Sequence, residues 1–134
     1  YPQLRIVING GIETVDDCEE HLRHVDGVML GRAAYHRPWL MSEVDERLFG
    51  AQASTRDRHQ IVHALFPYVE QRLAAGNNLS TITRHILGLF HGQPGGRQWR
   101  RVLSERACRP GAGIEVIEDA LAAVSAASEF RKVA

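Results

Sequence analysis

Two short apolar runs, each ended by glycine, constrain the fold of this 134-residue chain more than any other feature. The first is LRIVI at residues 4–8, before NGG, and the second is GVML at residues 27–30, before GR. Such runs are typical of strands buried in a parallel sheet. Between them, Thr14 begins a capping-box pattern and apolar residues recur every three or four positions. The pattern predicts a βαβ unit with parallel strands.

Two parallel strands cannot bury both of their faces, so the rest of the sheet is expected upstream of Tyr1 or in another chain. The chain does not begin with Met, and we therefore expect it to start partway through a gene product or to have been processed. Exposed apolar faces and unpaired strand edges also predict self-association.

The remainder of the chain carries helical patterns only. Pro38 suits the first turn of a short helix through Leu48 that closes at Gly50. Polar residues 51–58 suggest a domain boundary. Further helices are predicted at about residues 61–73 (kinked at Pro67 and stopped by Gly76), 79–91, 97–107 and 114–127. The predicted fold class is α/β in residues 1–50 followed by an all-α helical bundle in residues 51–134.

Several function classes are excluded by simple counts. No apolar run approaches the ~20 residues that cross a bilayer, so no membrane span is expected. Cys18 and Cys108 stand far apart, which suggests a reducing compartment and hence the cytoplasm. His59 and His63 come nearest to metal-ligand spacing but lack the glutamate of H-E-x-x-H, so no metal is expected. No catalytic nucleophile is visible.

The net charge of zero conceals a basic segment. Residues 79–109 hold six arginines and one acid, Glu105, which indicates a localised anion-binding surface. Arg97, Arg100 and Arg101 fall on one helix face and suit a phosphodiester backbone. The alternative is an ordinary solvated face. Trp99 could stack on a base, but we favour a core position for it.

The two strand-terminal glycine loops are the second candidate site. Backbone N–H groups in such loops can cradle an anion, and a phosphate site after the last two strands is usual in (β/α)8 barrels. Arg32 could pair with that phosphate, or with Asp26. The alternative is that both loops are simply tight turns. The residues concerned are Asn9, Gly10, Gly11, Gly31 and Arg32.

Three stretches carry a family resemblance: VINGGI at residues 7–12, VDGVMLGRAAY at 25–35 and ITRHILGLFHGQPGGRQWRR at 82–101. They strongly resemble the bacterial A-type tRNA-dihydrouridine synthases. The resemblance implies an FMN-binding TIM (β/α)8 barrel followed by a helical tRNA-binding domain. It implies an oxidoreductase that uses NADPH to reduce uridines in the D-loop of tRNA. This chain would supply the last two βα units of the barrel and the helical domain.

By position, the resemblance assigns Asn9, Gly10 and Gly11 to the FMN-phosphate loop after the seventh strand. It likewise assigns Gly31 and Arg32 to the loop after the eighth. Among the arginines it favours Arg97 and Arg100 as tRNA contacts, with Arg101 and Arg84 as weaker choices.

The chain departs from the family in one large respect. The cysteine acid and the lysine and histidine that hold the flavin ring all precede the seventh strand in the family, so none is present here. We therefore expect no catalytic residue in this chain, no reductase activity from it alone, and weak or absent FMN binding. The alternatives are a stand-alone helical RNA-binding module and another phosphate-binding barrel with an unrelated tail.

Overall fold

The structure is a computed structural model that describes residues 2–133, with side chains through residue 129. It separates the chain into two compact units, Tyr1–Thr55 and Arg56–Ala134. The elements are β1 (Val7–Asn9), α1 (Val15–Leu22), β2 (Gly27–Met29), α2 (Arg32–His36), a 3-10 helix (Pro38–Glu43), α3 (Val44–Phe49), α4 (Arg58–Ala74), α5 (Leu79–Thr83), α6 (Gly96–Arg106) and α7 (Ile114–Val133).

The first unit contains the predicted βαβ arrangement. Strands β1 and β2 pair in parallel, with Val7 opposite Gly27 and Asn9 opposite Met29. Both strands are shorter than the apolar runs predicted. The ladder begins only at Val7 because the Ile6 N–H donates to a carboxylate oxygen of Asp26 (2.8 Å) instead of to a strand.

The capping box at the start of α1 is also confirmed. Thr14 Oγ1 accepts from the Asp17 N–H at 3.1 Å, and Asp17 Oδ2 accepts from the Thr14 N–H at 2.9 Å. These bonds satisfy donors that the first helical turn leaves open. Val15 and Cys18 are buried beneath the helix, which ends at Leu22.

The strand pair leaves large apolar side chains exposed, as two strands must. Ile6 and Val7 are 57% and 61% exposed, and Met29 is 46% exposed. The apolar runs therefore have the composition of buried strands, but the described residues do not cover them.

The single helix predicted from Pro38 to Leu48 is wrong. The segment forms a 3-10 helix followed by α3, and an unpredicted short helix, α2, precedes both. The Ser42 hydroxyl donates to the Trp39 carbonyl oxygen (2.7 Å), which fits a tight 3-10 turn. The predicted stop is confirmed, since Gly50 has a left-handed φ of 64°.

An ion-pair cluster ties α3 to α1. The Arg47 guanidinium contacts Glu19 at 2.9 Å, Glu43 at 3.5 Å, and Asp16. The hydrogen bonds to Glu19 and Asp16 raise the pKa of Arg47 above its usual range. Residues 1–55 hold nine acids and five arginines, and three of those acids serve in this cluster.

The second unit is built on α4, α6 and α7. Asp57 and Gln60 form a capping box at the start of α4, which continues through Pro67 to Ala74. Helices α6 and α7 pack together over a shared core. Its fully buried side chains include Trp99, Leu103, Ile117 and Val124.

The helix predicted over residues 79–91 is largely wrong. Helix α5 ends at Thr83, and residues 84–92 form consecutive turns. Their N–H groups bond three residues back, as from Leu89 to the Ile86 carbonyl and from His91 to the Gly88 carbonyl, both at 3.0 Å. The apolar spacing in this segment serves a compact turn structure rather than a helix.

Candidate phosphate-binding and RNA-binding sites

The two glycine loops leave the sheet at the same end, where both strands finish. The strands are parallel and Asn9 lies opposite Met29, so the two loops that follow them begin side by side. Gly10 and Gly11 have φ of 116° and 70°, values that favour glycine. A Cβ added to either would meet nothing within 4 Å, which leaves open space over the backbone. Conformation, not crowding, therefore selects glycine at these two positions.

The groups at this end of the sheet can bind an anion. Neither the Gly11 nor the Arg32 N–H donates a hydrogen bond to another described residue. Arg32 is exposed and has no acidic partner within residues 2–133. Its alternative partner, Asp26, accepts from the Ile6 N–H instead. Gly31 has a negative φ of −95°, unlike Gly10 and Gly11.

The predicted basic face lies on α6, where the three arginines differ in their surroundings. Arg97 and Arg100 are exposed and have no acidic partner among the described residues. Arg101 lies 3.0 Å from Glu105, one turn later on the same helix. The charge that an external phosphate could use is therefore concentrated at Arg97 and Arg100.

Two glycines at the start of α6, Gly95 and Gly96, have no room for a side chain. Gly95 has a φ of 78°, and a Cβ there would lie 2.6 Å from the Cα of Val124 on α7. A Cβ at Gly96 would lie 2.2 Å from the Phe90 carbonyl oxygen. This close backbone approach fixes where α6 begins, and so where its first arginine stands.

Trp99 belongs to the core, as predicted. It is 0% exposed, and its ring centroid lies 4.8 Å from that of Phe90. Its Nε1 donates to the Ile86 carbonyl oxygen at 3.0 Å. A stacking role for Trp99 is wrong, because the ring has no exposed face.

Arg84 caps the C-terminus of α5 and is exposed. Its Nε donates to His85 Nε2 at 3.2 Å, and no described acid pairs with it. Residues 84–92 form turns, so no helix joins Arg84 to His91.

One structural arginine was missed by sequence reasoning. Arg58, in the stretch interpreted as a polar boundary, is the first residue of α4. Its Nε donates to the Leu89 carbonyl oxygen at 2.9 Å, and burial lowers its pKa. The start of α4 could have been predicted from Asp57 and Gln60, whose spacing is that of a capping box.

The remaining reactive groups are scattered. Cys18 is buried within α1, and Cys108 is exposed just after α6. Across residues 2–133 no three His, Cys, Asp or Glu side chains come together as a metal site would require. Within the same residues, no helix is both long and apolar enough to cross a membrane.

Comparison with known proteins gives the family. The family model described as Dihydrouridine synthase (Dus) matches residues 2–125. The chain belongs to the dihydrouridine synthase family. Curated relatives named tRNA-dihydrouridine(20/20a) synthase include those of Yersinia pestis, 54% identical over 125 residues, and Vibrio cholerae, 48% identical over 124 residues. The Escherichia coli K12 relative is 48% identical over 125 residues.

These matches cover the chain and the relatives unequally. They include 92% of this chain for the Vibrio cholerae relative and 93% for the other two. The chain spans only 36–38% of the length of these relatives. Both the strand-end glycines and the arginine face lie inside the matched residues.

Proposed function

We propose that this chain is the C-terminal part of a flavin-dependent tRNA-dihydrouridine synthase, an oxidoreductase that reduces D-loop uridines of tRNA with NADPH. The observation that carries the proposal is the surface of α6. Two exposed arginines, without acidic partners in the described chain, stand on a helix that the family model includes. The two strands would be the last two of a (β/α)8 barrel, which explains their uncovered apolar side chains.

The strand-end residues fit the phosphate of FMN. Open backbone at Gly10 and Gly11, an N–H at Gly11 that no described residue accepts, and the uncompensated charge of Arg32 are what a phosphate dianion requires. Asn9 and Gly31 would complete the loops. FMN supplies hydride transfer when it is bound. These five residues would hold and orient the phosphate group of FMN. They would not donate a proton to the uridine.

The arginine face would hold the tRNA backbone. Arg97 and Arg100 lie one turn apart, so each can neutralise a phosphate and release condensed counterions. Arg101 shares its charge with Glu105 and would contribute less. Contacts of this kind orient the RNA and carry little sequence information.

The test is a salt titration of tRNA binding by the purified chain. The Arg97→Gln/Arg100→Gln variant should bind more weakly, and its log–log salt slope should fall by about one unit for each phosphate that it no longer neutralises. The matched control is Arg5→Gln/Arg23→Gln, which removes the same charge from exposed positions of the first unit. Equal affinities and slopes for the two variants would refute tRNA binding by this face.

A further inference from the structure

A groove lies between α5 and α6, next to the arginine face, and its lining surface is mainly apolar. Its volume is about 320 Å³, within the range of small-ligand sites. Leu87 and Leu103 form its apolar lining. Hydroxyl groups and one guanidinium line the remainder: Ser80, Thr81, Thr83, Arg84 and Ser104.

Three of the hydroxyls in this groove are unused. Within the described residues, the side chains of Ser80, Thr83 and Ser104 make no hydrogen bond. The Thr81 hydroxyl, in contrast, donates to the Asn78 carbonyl oxygen at 2.7 Å. The groove therefore presents hydrogen-bonding capacity that the protein itself does not consume.

Thr83 contributes the most buried hydroxyl group of the groove. It is the buried polar residue of the described core, with 2% of its surface exposed. No buried side-chain oxygen in residues 2–129 is both shut off from solvent and unpaired. Since the Thr83 hydroxyl has no partner among these residues, its oxygen must reach solvent, and the groove is the space that it lines. The hydroxyl is therefore available to bond to a group that enters the groove.

The groove walls are held together by hydrogen bonds. The Ser80 N–H donates to the Ala107 carbonyl oxygen at 3.1 Å, which joins the start of α5 to the end of α6. At the other end, Trp99 of α6 bonds to Ile86. A site with fixed walls loses little entropy when it binds a ligand.

A second cavity, of about 430 Å³, does not share these properties. Its lining includes Arg72, Asn77 and Thr81. Arg72 Nη2 donates to Asn77 Oδ1 at 3.2 Å, and the Thr81 hydroxyl is already bonded. These three polar groups already have protein partners, so the first groove, with three hydroxyls unpaired in the described chain, is the better candidate.

The groove also continues the basic surface. Ser104 follows Arg100 by four residues and Arg97 by seven, so all three share one face of α6. Arg84 stands on the opposite wall with no acidic partner in the described chain. A phosphodiester chain lying along the arginines would reach the groove next.

We propose that this groove holds one nucleotide of the bound RNA strand, an inference that rests on tRNA binding by the arginine face. The Arg84 guanidinium pairs with the phosphate of that nucleotide. The hydroxyls of Ser80, Thr83 and Ser104 bond to its phosphate and ribose oxygens. The groove therefore fixes the register of the strand along α6, whereas Arg97 and Arg100 supply charge.

The experiment measures affinity for a transcribed tRNA across a salt titration, using the full chain. Thr83→Val and Ser104→Ala should each weaken binding about 2- to 10-fold without changing the salt slope, because each removes a neutral hydrogen bond. Arg84→Gln should weaken binding and lower the slope by about one unit. Ser128→Ala is the control, since that hydroxyl bonds to the Val124 carbonyl of its own helix (3.1 Å). Urea midpoints confirm that each variant is folded.

The outcomes separate the groove from the proposed function. If Arg97→Gln/Arg100→Gln weakens binding but the three groove variants match Ser128→Ala, the groove inference is wrong and the arginine face stands. If the unmodified chain does not bind tRNA at low salt, both are wrong. Amide resonances of Thr83 and Ser104 that respond to inorganic phosphate alone, and not to tRNA, would also overturn the inference.

Discussion

The Trp99 indole N–H donates to the Ile86 carbonyl oxygen at 3.0 Å, joining α6 to the turns at residues 84–92. This carbonyl already accepts the Leu89 N–H within the turns. The indole therefore uses the second lone pair of a carbonyl that a regular helix would have directed along its axis. One buried side chain thus stabilises a segment whose backbone lacks regular hydrogen bonding.

Replacing Trp99 by Phe should lower the free energy of unfolding of the second unit by about 1–3 kcal/mol. The variant loses the bond to Ile86 and leaves unfilled volume at a fully buried position. Urea denaturation followed by circular dichroism gives the value. Tyr68→Phe, at a side chain that is 49% exposed, is the control and should change stability by less than about 0.5 kcal/mol. Equal stabilities for the two variants would show that the indole bond contributes nothing.

The close packing of Gly95 against α7 leads to a second prediction. Gly92 and Gly95 have similar φ values, 73° and 78°, but a Cβ at Gly92 would meet nothing within 4 Å. Gly92→Ala should therefore cost only the left-handed backbone strain, about 1–2 kcal/mol. Gly95→Ala should cost about 1–3 kcal/mol more, because the methyl group would overlap the Val124 backbone. The difference between their urea midpoints measures this packing, and no difference would contradict it.

The elements that sequence reasoning predicted correctly have strong local signals. The capping box at Thr14, the stop at Gly50 and the glycine turn before α6 each act within one or two turns of the chain. The helix expected over residues 79–91 failed for a tertiary reason. Its carbonyls at Ile86 and Leu89 bond to Trp99 and Arg58, which are distant in sequence, so apolar spacing alone was misleading.

The arginine face and the groove also differ in whether the sequence alone could predict them. The exposed face of Arg97 and Arg100 follows from helical spacing and could be read from the sequence. The groove could not, because Thr83 and Ser104 come together only when α5 packs against α6. Nothing in the spacing of hydroxyl residues reveals that the Thr83 hydroxyl has no partner among the described residues, whereas the Thr81 hydroxyl donates to the Asn78 carbonyl oxygen.

The capping box at α1 predicts a specific pH dependence. Hydrogen bonds from the Glu13 backbone, and then from Thr14, hold the pKa of Asp17 below its usual value. A lowered pKa in the folded state stabilises the fold above the unfolded-state pKa of about 4, and that contribution disappears as pH falls through the folded-state value. Helix α1 should therefore lose stability in acid below about pH 4.

The Asp17→Asn variant tests this dependence. It should destabilise α1 at neutral pH and flatten the acid side of its stability curve, because asparagine cannot titrate. Amide exchange rates in α1 report both effects. Asp45→Asn removes the same charge from an exposed position on α3 and is the matched control. An Asp17→Asn curve parallel to that of the unmodified chain down to about pH 2 would contradict the capping role.

The two cysteines should differ sharply in reactivity toward a thiol reagent. Burial raises the pKa of the Cys18 thiol, and the side chain is 0% exposed beneath α1. Cys108 is exposed, and the only acceptors near its sulfur in the described chain are backbone carbonyls at 3.6 Å and 3.8 Å. Because the thiolate is the reacting species, the native chain should show one fast thiol, and a second should appear only on unfolding.

Cys108→Ser identifies the fast thiol. That variant should lose the fast phase and keep the slow one, and the slow rate should rise with urea in parallel with exchange of the α1 amides. The Asp17→Asn variant should speed the slow phase in the native chain, since it loosens α1, on whose buried face Cys18 lies. If Cys18 instead reacts rapidly in the native chain, the buried face of α1 is not packed as the structure describes.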